Sequence, residues 1–229
     1  MGAMAAETRG IAWANLRSSD TATCVNNDPD LLREIPTGSQ HRLVLLHGWG
    51  ADADDLLSLG RELCQGIDKP VERVALRAPQ LHPHGIGRQW YGLFPADWAS
   101  VPDAVCHLQA RLKALETPEI PLQATALLGF SQGGAMALAS GCDLPLAGLI
   151  CCSAYPHPNW MAPSKRPPVL LMHGRQDEVV PYSACEQLIR DLGLETSNIE
   201  MTLVNFDGGH GIPGELIPRM QQALSSWFH

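Results

Sequence analysis

Long hydrophobic runs are missing from this chain. Apolar stretches such as Leu43–Leu46 and Val169–Met172 are only strand-sized, far short of the roughly 20 residues a membrane-spanning helix needs. Basic residues are also scarce, with 16 Lys and Arg against 24 Asp and Glu and a net charge of −8. The clustered cations of a nucleic-acid footprint are therefore absent, and the charge favours solubility. None of the seven cysteines forms a C-x-x-C pair, so neither a zinc site nor a redox dithiol is expected. Buried, reduced thiols in a cytoplasmic protein are the plain reading. The N-terminus has no basic region followed by an apolar core, so no secretory signal is expected. Met1-Gly-Ala reads as an expression scar ahead of Met4, and residues 1–7 as a disordered tail.

What the chain does have is a core-forming composition, 45% apolar and 17% charged over 229 residues. That length suits a single α/β domain spanning 1–229. Strand and helix patterns alternate. Strands are expected at His41–Leu46, Val71–Leu76, Ala124–Leu128, Leu146–Ser153, Val169–His173 and Ile199–Phe206. Helical periodicity covers Asp52–Gln65, Val101–Leu115, Pro181–Leu192 and a final segment with Leu216, Met220, Ala223 and Trp227 on one face. This order predicts a mostly parallel central sheet with helices on both faces. Ile11–Arg17 is expected as an additional edge strand. The acidic run Asp52, Asp54 and Asp55 fits a helix N-terminus.

One stretch carries chemistry. Gly129-Phe130-Ser131-Gln132-Gly133 fits the pattern G-x-S-x-G between an apolar strand and a helix of small residues, Gly134–Ala139. A sharp strand-to-helix turn there strains the serine backbone and lifts its hydroxyl above the sheet edge. A serine hydroxyl is a weak nucleophile unless a base lies within hydrogen-bond reach. Histidine suits that role, and a carboxylate must hold its tautomer and stabilise the imidazolium. Asp177 follows the strand ending at His173, and His210 follows the last strand between glycines. Asp177 lies 46 residues beyond Ser131 and His210 another 33, in the order Ser, Asp, His of such hydrolases. Asp207 is the weaker alternative carboxylate, and His47 and His173 fit turn-shaping roles.

A tetrahedral intermediate also needs two N–H donors aimed at its oxyanion. The backbone N–H of Gln132, directly after the serine, is one candidate. The other is that of Trp49 in Leu46-His-Gly-Trp-Gly50, with Gly50 next. The segment Ala78–Ser100 has no clear period, and whether it moves as a lid stays open. Its Trp90, together with Trp49, Tyr155 and Val179, is expected to line an apolar substrate pocket, with core filling as the competing reading for Trp90.

His47-Gly-Trp-Gly50, Gly129-Phe-Ser-Gln-Gly-Gly134, Ser153-Ala-Tyr155, the block His173–Pro181 and Gly208-Gly-His210 resemble the phospholipase/carboxylesterase family, which includes acyl-protein thioesterases. The likeness runs in order from about residue 41 to the C-terminus. It implies an α/β-hydrolase with Ser131, Asp177 and His210 as catalytic triad, acting on carboxylic esters or thioesters without cofactor or metal. It also implies a cytosolic enzyme whose partners are small esters, lysophospholipids or acylated proteins, with the assembly left between monomer and homodimer. Trp49, where the family often has Leu, and Glu178 after the acid are departures that would shorten or reshape an acyl groove, so short to medium acyl chains are expected. The alternatives are a peptidase of the same fold and a non-catalytic binding protein on a hydrolase scaffold. A dienelactone-type hydrolase would carry cysteine where Ser131 stands.

Overall fold

The computed structural model describes residues 29–193 and 201–228. Its strands are β1 Leu31–Glu34, β2 His41–Leu46, β3 Val71–Leu76, β4 Gln80–Leu81, β5 Arg88–Gln89, β6 Thr125–Phe130, β7 Gly148–Cys152, β8 Val169–Gly174 and β9 Met201–Phe206. The helices are α1 Asp54–Gln65, α2 Val101–Ala114, α3 Gln132–Gly141, α4 Tyr182–Asp191 and α5 Ile217–Trp227. Seven strands form one sheet in the order β1-β3-β2-β6-β7-β8-β9, and β4 and β5 form a small separate ribbon. Every pairing in the large sheet is parallel except β1 with β3.

The strands are apolar along most of their length because both faces are covered. Their alternation still sorts the side chains. Val44, Leu46, Leu127, Leu149 and Leu171 pack with α2, α3 and α4 through Leu108, Leu112, Met136 and Leu188. Leu43, Leu45, Leu128, Ile150 and Met172 pack with α1 and α5 through Leu63, Met220 and Leu224. The buried Cys142 and Cys152 belong to these layers. Burial pushes both thiols up to about 12, so they stay protonated and serve as small apolar fillers.

The antiparallel strand β1 has no counterpart among the strands expected from the sequence. It is formed by Leu31–Glu34, while Ile11–Arg17 lies outside the described residues, as do residues 1–7. Four residues ending in Arg33-Glu34 carry no strand period. Their charges are instead satisfied by neighbouring elements, Glu34 by Arg61 of α1 and Arg73 of β3 and Arg33 by Glu72 of β3. Glu72 also holds Arg42 at 2.9 Å, and both side chains are 0% exposed. Desolvation lowers the Arg42 guanidinium from its usual range despite Glu72. Glu72→Gln would strand that buried cation and is expected to cost about 3–5 kcal/mol. The measurement is a urea unfolding curve with a lowered midpoint and an unchanged slope. A midpoint within experimental error of wild type would refute the buried pair.

The acidic run also finds its explanation here. Asp54 and Asp55 begin α1, and Arg77 bridges Asp52 at 2.9 Å and Asp54 at 3.1 Å.

Candidate active site

The parallel strands deliver their following loops to one edge of the sheet, where such folds build their sites. At the end of β6 the chain turns at Ser131, whose backbone sits at φ 54°, ψ −118°. A non-glycine residue held at positive φ is strained and persists only where its surroundings enforce it. The enforcement is visible. Ser131 N–H donates to the Cys152 carbonyl at 2.9 Å, and its own carbonyl accepts from Ala135 N–H at 3.0 Å. Side chains at Gly129 and Gly133 would land on the Gly133 and Leu46 carbonyls respectively. Only glycine lets β6, α3 and β2 approach this closely.

The loops after β8 and β9 are laced together by Arg175 N–H to the Phe206 carbonyl at 2.9 Å and Gln176 N–H to the Gly208 carbonyl at 3.0 Å. That lacing brings His210 Nδ1 to 2.8 Å from Asp177 Oδ2. The other carboxylate oxygen accepts from Val179 N–H at 3.0 Å and Val180 N–H at 2.8 Å. Burial alone would raise the Asp177 carboxyl. The hydrogen bonds from His210 and the Val180 N–H outweigh it and hold the group below the usual carboxylate range. The ring of His210 stacks at a tilt on Phe130, centroids 4.8 Å apart, one residue from Ser131. Asp207 is exposed, whereas Asp177 is the carboxylate that meets the imidazole.

The loop after β2 is equally ordered. His47 Nε2 accepts from Ala78 N–H at 3.1 Å, which places the ring proton on Nδ1, 2.8 Å from the Gly48 carbonyl. Burial lowers the His47 pKa, in keeping with this neutral, turn-shaping tautomer. His173 does similar work beside the acid, with Nε2 2.9 Å from the Val180 carbonyl. Gly50 N–H is engaged by the Arg88 carbonyl at 2.9 Å.

The expected substrate contacts divide. Trp49 is half-buried, with edge-on ring contacts to His82 and Phe94, and Val179 is exposed. Tyr155 is half-buried and shares a 2.7 Å hydroxyl contact with Tyr91. Trp90 differs from these three in its burial. It is 2% exposed, packs in the core and donates its indole N–H to the His47 carbonyl at 2.9 Å. Its side chain ties two loops together, which favours the core-filling reading.

Three neighbours were not expected from the sequence. The Tyr91 hydroxyl also meets His157 Nε2 at 2.9 Å, and burial pushes the His157 pKa down to about 4. Ser153 is fully buried at φ 48°. Ser153 stands in one of the motifs noted in the sequence, but nothing in that motif foretells a second strained non-glycine backbone. The Gln132 side chain is the third, bonding to Trp90 and Tyr91.

Strand order, a strained serine turn and a histidine–carboxylate pair on the neighbouring loops together define an α/β-hydrolase. Residues 36–228 match the phospholipase/carboxylesterase family, and the chain belongs to that family. It is similar to the solved structure of esterase PE8, at 30% identity and TM-score 0.75 over 86% of this chain and 96% of that one. A carboxylesterase from Mesorhizobium loti is 19% identical with TM-score 0.71, over 88% of this chain and 97% of that one. Zea mays acyl-protein thioesterase 2 is 18% identical with TM-score 0.67, over 87% and 99%. The last two likenesses are of fold. The protein is thus a hydrolase of the carboxylesterase and thioesterase type, and no helix among the described residues is long and apolar enough to cross a membrane.

Proposed function

We propose that this chain is a single-domain serine hydrolase that cleaves carboxylic esters or thioesters of short to medium acyl chains through an acyl-enzyme intermediate. The observation that carries this reading is the 2.8 Å His210–Asp177 pair on the same sheet edge as the strained Ser131 turn. With Nδ1 bound to Asp177, the imidazole has Nε2 left to work on the serine. His210 takes the Ser131 hydroxyl proton as Ser131 Oγ bonds to the carbonyl carbon and the carbonyl electron pair moves onto oxygen. Collapse breaks the bond to the alcohol or thiol, which leaves with the proton from His210. Water then repeats the sequence and frees the acid. Asp177 stays ionised throughout and stabilises the imidazolium.

The oxyanion is received by the backbone N–H groups of Gln132 and Trp49. The engagement of Gly50 N–H by Arg88 supports Trp49 as the donor from that loop. The chemistry of ester cleavage on this residue set calls for neither cofactor nor metal. An apolar acyl group suits the surroundings. The large apolar side chains exposed among the described residues are Leu81, Ile86, Phe94, Trp98, Met161 and Val179. All lie on segments that follow β3, β7 and β8, on the edge that carries Ser131. Trp49, Tyr155 and Val179 are assigned to the acyl side of the site. Small esters, lysophospholipids and acylated proteins are the proposed substrates, and the cytoplasm the proposed location, of a monomer or homodimer.

The test is fluorophosphonate labelling of the wild-type protein, with the modified residue mapped by mass spectrometry. A chain-length series of p-nitrophenyl esters and matching thioesters follows, with labelled protein as blank. Modification at Ser131 and a kcat/KM that peaks at short or medium chains are expected. Label elsewhere would remove the mechanism. Indifference from acetate to laurate would remove the acyl pocket.

A further inference from the structure

Residues 88–91 cross the site as a strap, and we propose that this strap sets the geometry of the oxyanion hole. The inference rests on the serine-hydrolase reading above and deepens it. The two donors assigned there come from distant parts of the chain, the loop after β2 and the first residue of α3. The strap is what connects them.

On one side it grips the loop. Gly50 N–H donates to the Arg88 carbonyl at 2.9 Å and Arg88 N–H to the Ala51 carbonyl at 2.8 Å, so the chain just after Trp49 is paired like a strand. Just before Trp49, the His47 carbonyl accepts the Trp90 indole N–H at 2.9 Å. The Trp49 side chain is held as well. Its indole N–H donates to Gln89 Oε1 at 2.9 Å, and its ring meets His82 and Phe94 edge-on, with centroids 4.1 Å and 5.2 Å away. The chain on each side of the Trp49 N–H is therefore fixed by strap residues.

On the other side the strap is tied to α3 by one side chain. Gln132 Oε1 accepts from Trp90 N–H at 3.0 Å, and Gln132 Nε2 donates to the Tyr91 carbonyl at 2.8 Å. Gln132 is 0% exposed, so bulk water does not compete for either bond. The same residue thus offers its backbone N–H to the oxyanion and uses its amide to register the strap. The strap is bonded down on both sides, and its polar groups are spent on positioning.

The physical reason for such a device is the steep distance dependence of oxyanion stabilisation. Donors must point at the oxyanion before the reaction starts. A misplacement of about 1 Å can cost about a hundredfold in rate. Gln132 and Trp90 are in this sense positioning residues whose side chains never touch substrate.

Gln132→Met keeps side-chain length and removes both amide bonds, while Trp90→Phe removes only the indole N–H and part of the ring. Rates are to be normalised to the serines that react with a fluorophosphonate active-site titrant, so that any misfolded fraction is not counted. Each variant is expected to lose between about tenfold and a hundredfold in kcat per titrated serine, with KM within about twofold. Affinity for a trifluoromethyl ketone, which forms a tetrahedral adduct, should fall in parallel, while the pH dependence of kcat/KM keeps its shape. Wild-type kcat per titrated serine in both variants, even with a lowered Tm, would mean that the strap is structural only and overturn the proposal. A wild-type protein that takes no label at Ser131 and hydrolyses no ester would instead remove the hydrolase mechanism on which it rests.

Discussion

Ser131→Ala is expected to lose at least about 10⁴-fold in kcat on any ester that the wild-type protein turns over. On the proposed mechanism the hydroxyl supplies the bond-forming atom, and no neighbouring thiol replaces it. Cys151 and Cys152, on the strand next to β6, are buried at 1% and 2% exposure, and burial raises their pKa values. Neither can present a thiolate to substrate. The fold should survive. Ser131 owes its φ of 54° to the turn, which is held by main-chain hydrogen bonds and by close packing at Gly129 and Gly133. The alanine variant keeps all of these. Its Tm should lie within a few degrees of wild type, and its fluorophosphonate labelling should vanish. His210→Ala should lose a similar amount, and the double variant little more, if the proposed triad acts as a unit. Near-wild-type hydrolysis by Ser131→Ala would place the chemistry elsewhere in the molecule.

The parts of this molecule legible in sequence are those written locally. Parallel strands buried on both faces leave apolar runs in β6, β7 and β8, and β2, β3 and β9 keep enough apolar residues around Arg42, Glu72, Arg73 and Asn205 to be read as strands. The elbow is also local, since a serine between glycines at a strand–helix junction leaves few alternatives. Asp177 and His210 are legible for a different reason. Each follows a strand end, and the topology carries every such loop to the same edge. The features that sequence does not reveal are bonded across long separations. Strand β1 is four residues whose Glu34 is satisfied by Arg61 and Arg73, and no period within residues 31–34 encodes those partners. Trp90 is read equally well as core or as pocket from the sequence, and its bond to the His47 carbonyl, 43 residues away, leaves no local signal. The loop from 78 to 100 has no period because its order comes from the Gln132 amide and the Gly50 main chain. Tyr91, Tyr155 and His157 form one hydrogen-bonded group from two loops with no shared motif.

Asp177→Asn is expected to cost about 10⁴-fold in kcat while leaving KM and the overall fold in place. Asparagine still offers an oxygen to the N–H groups of Val179 and Val180, so the loop keeps its shape. What faces His210 Nδ1 is then an amide N–H₂, a donor where a carboxylate accepted. The imidazole must accept at Nδ1 and carry its proton on Nε2, the nitrogen that should receive the serine proton. The base is present but in the wrong tautomer. Asp207→Asn is the control, because that carboxylate is exposed, and its kcat should stay within about threefold of wild type. The reverse pattern, with loss at Asp207 and retention at Asp177, would transfer the role. Stability supplies a separate check with a definite sign. The folded-state pKa of Asp177 is depressed, so its charge contributes stability that is present above the ordinary Asp range near 3.9 and lost as pH falls through the depressed value. The stability gap between wild type and Asp177→Asn, measured in urea, should therefore hold from about pH 7 down to about pH 4 and narrow below it. A gap that stays constant to about pH 2 would mean that the ionised carboxylate gains nothing from His210 and the Val180 N–H on folding, and the tautomer argument would lose its anchor.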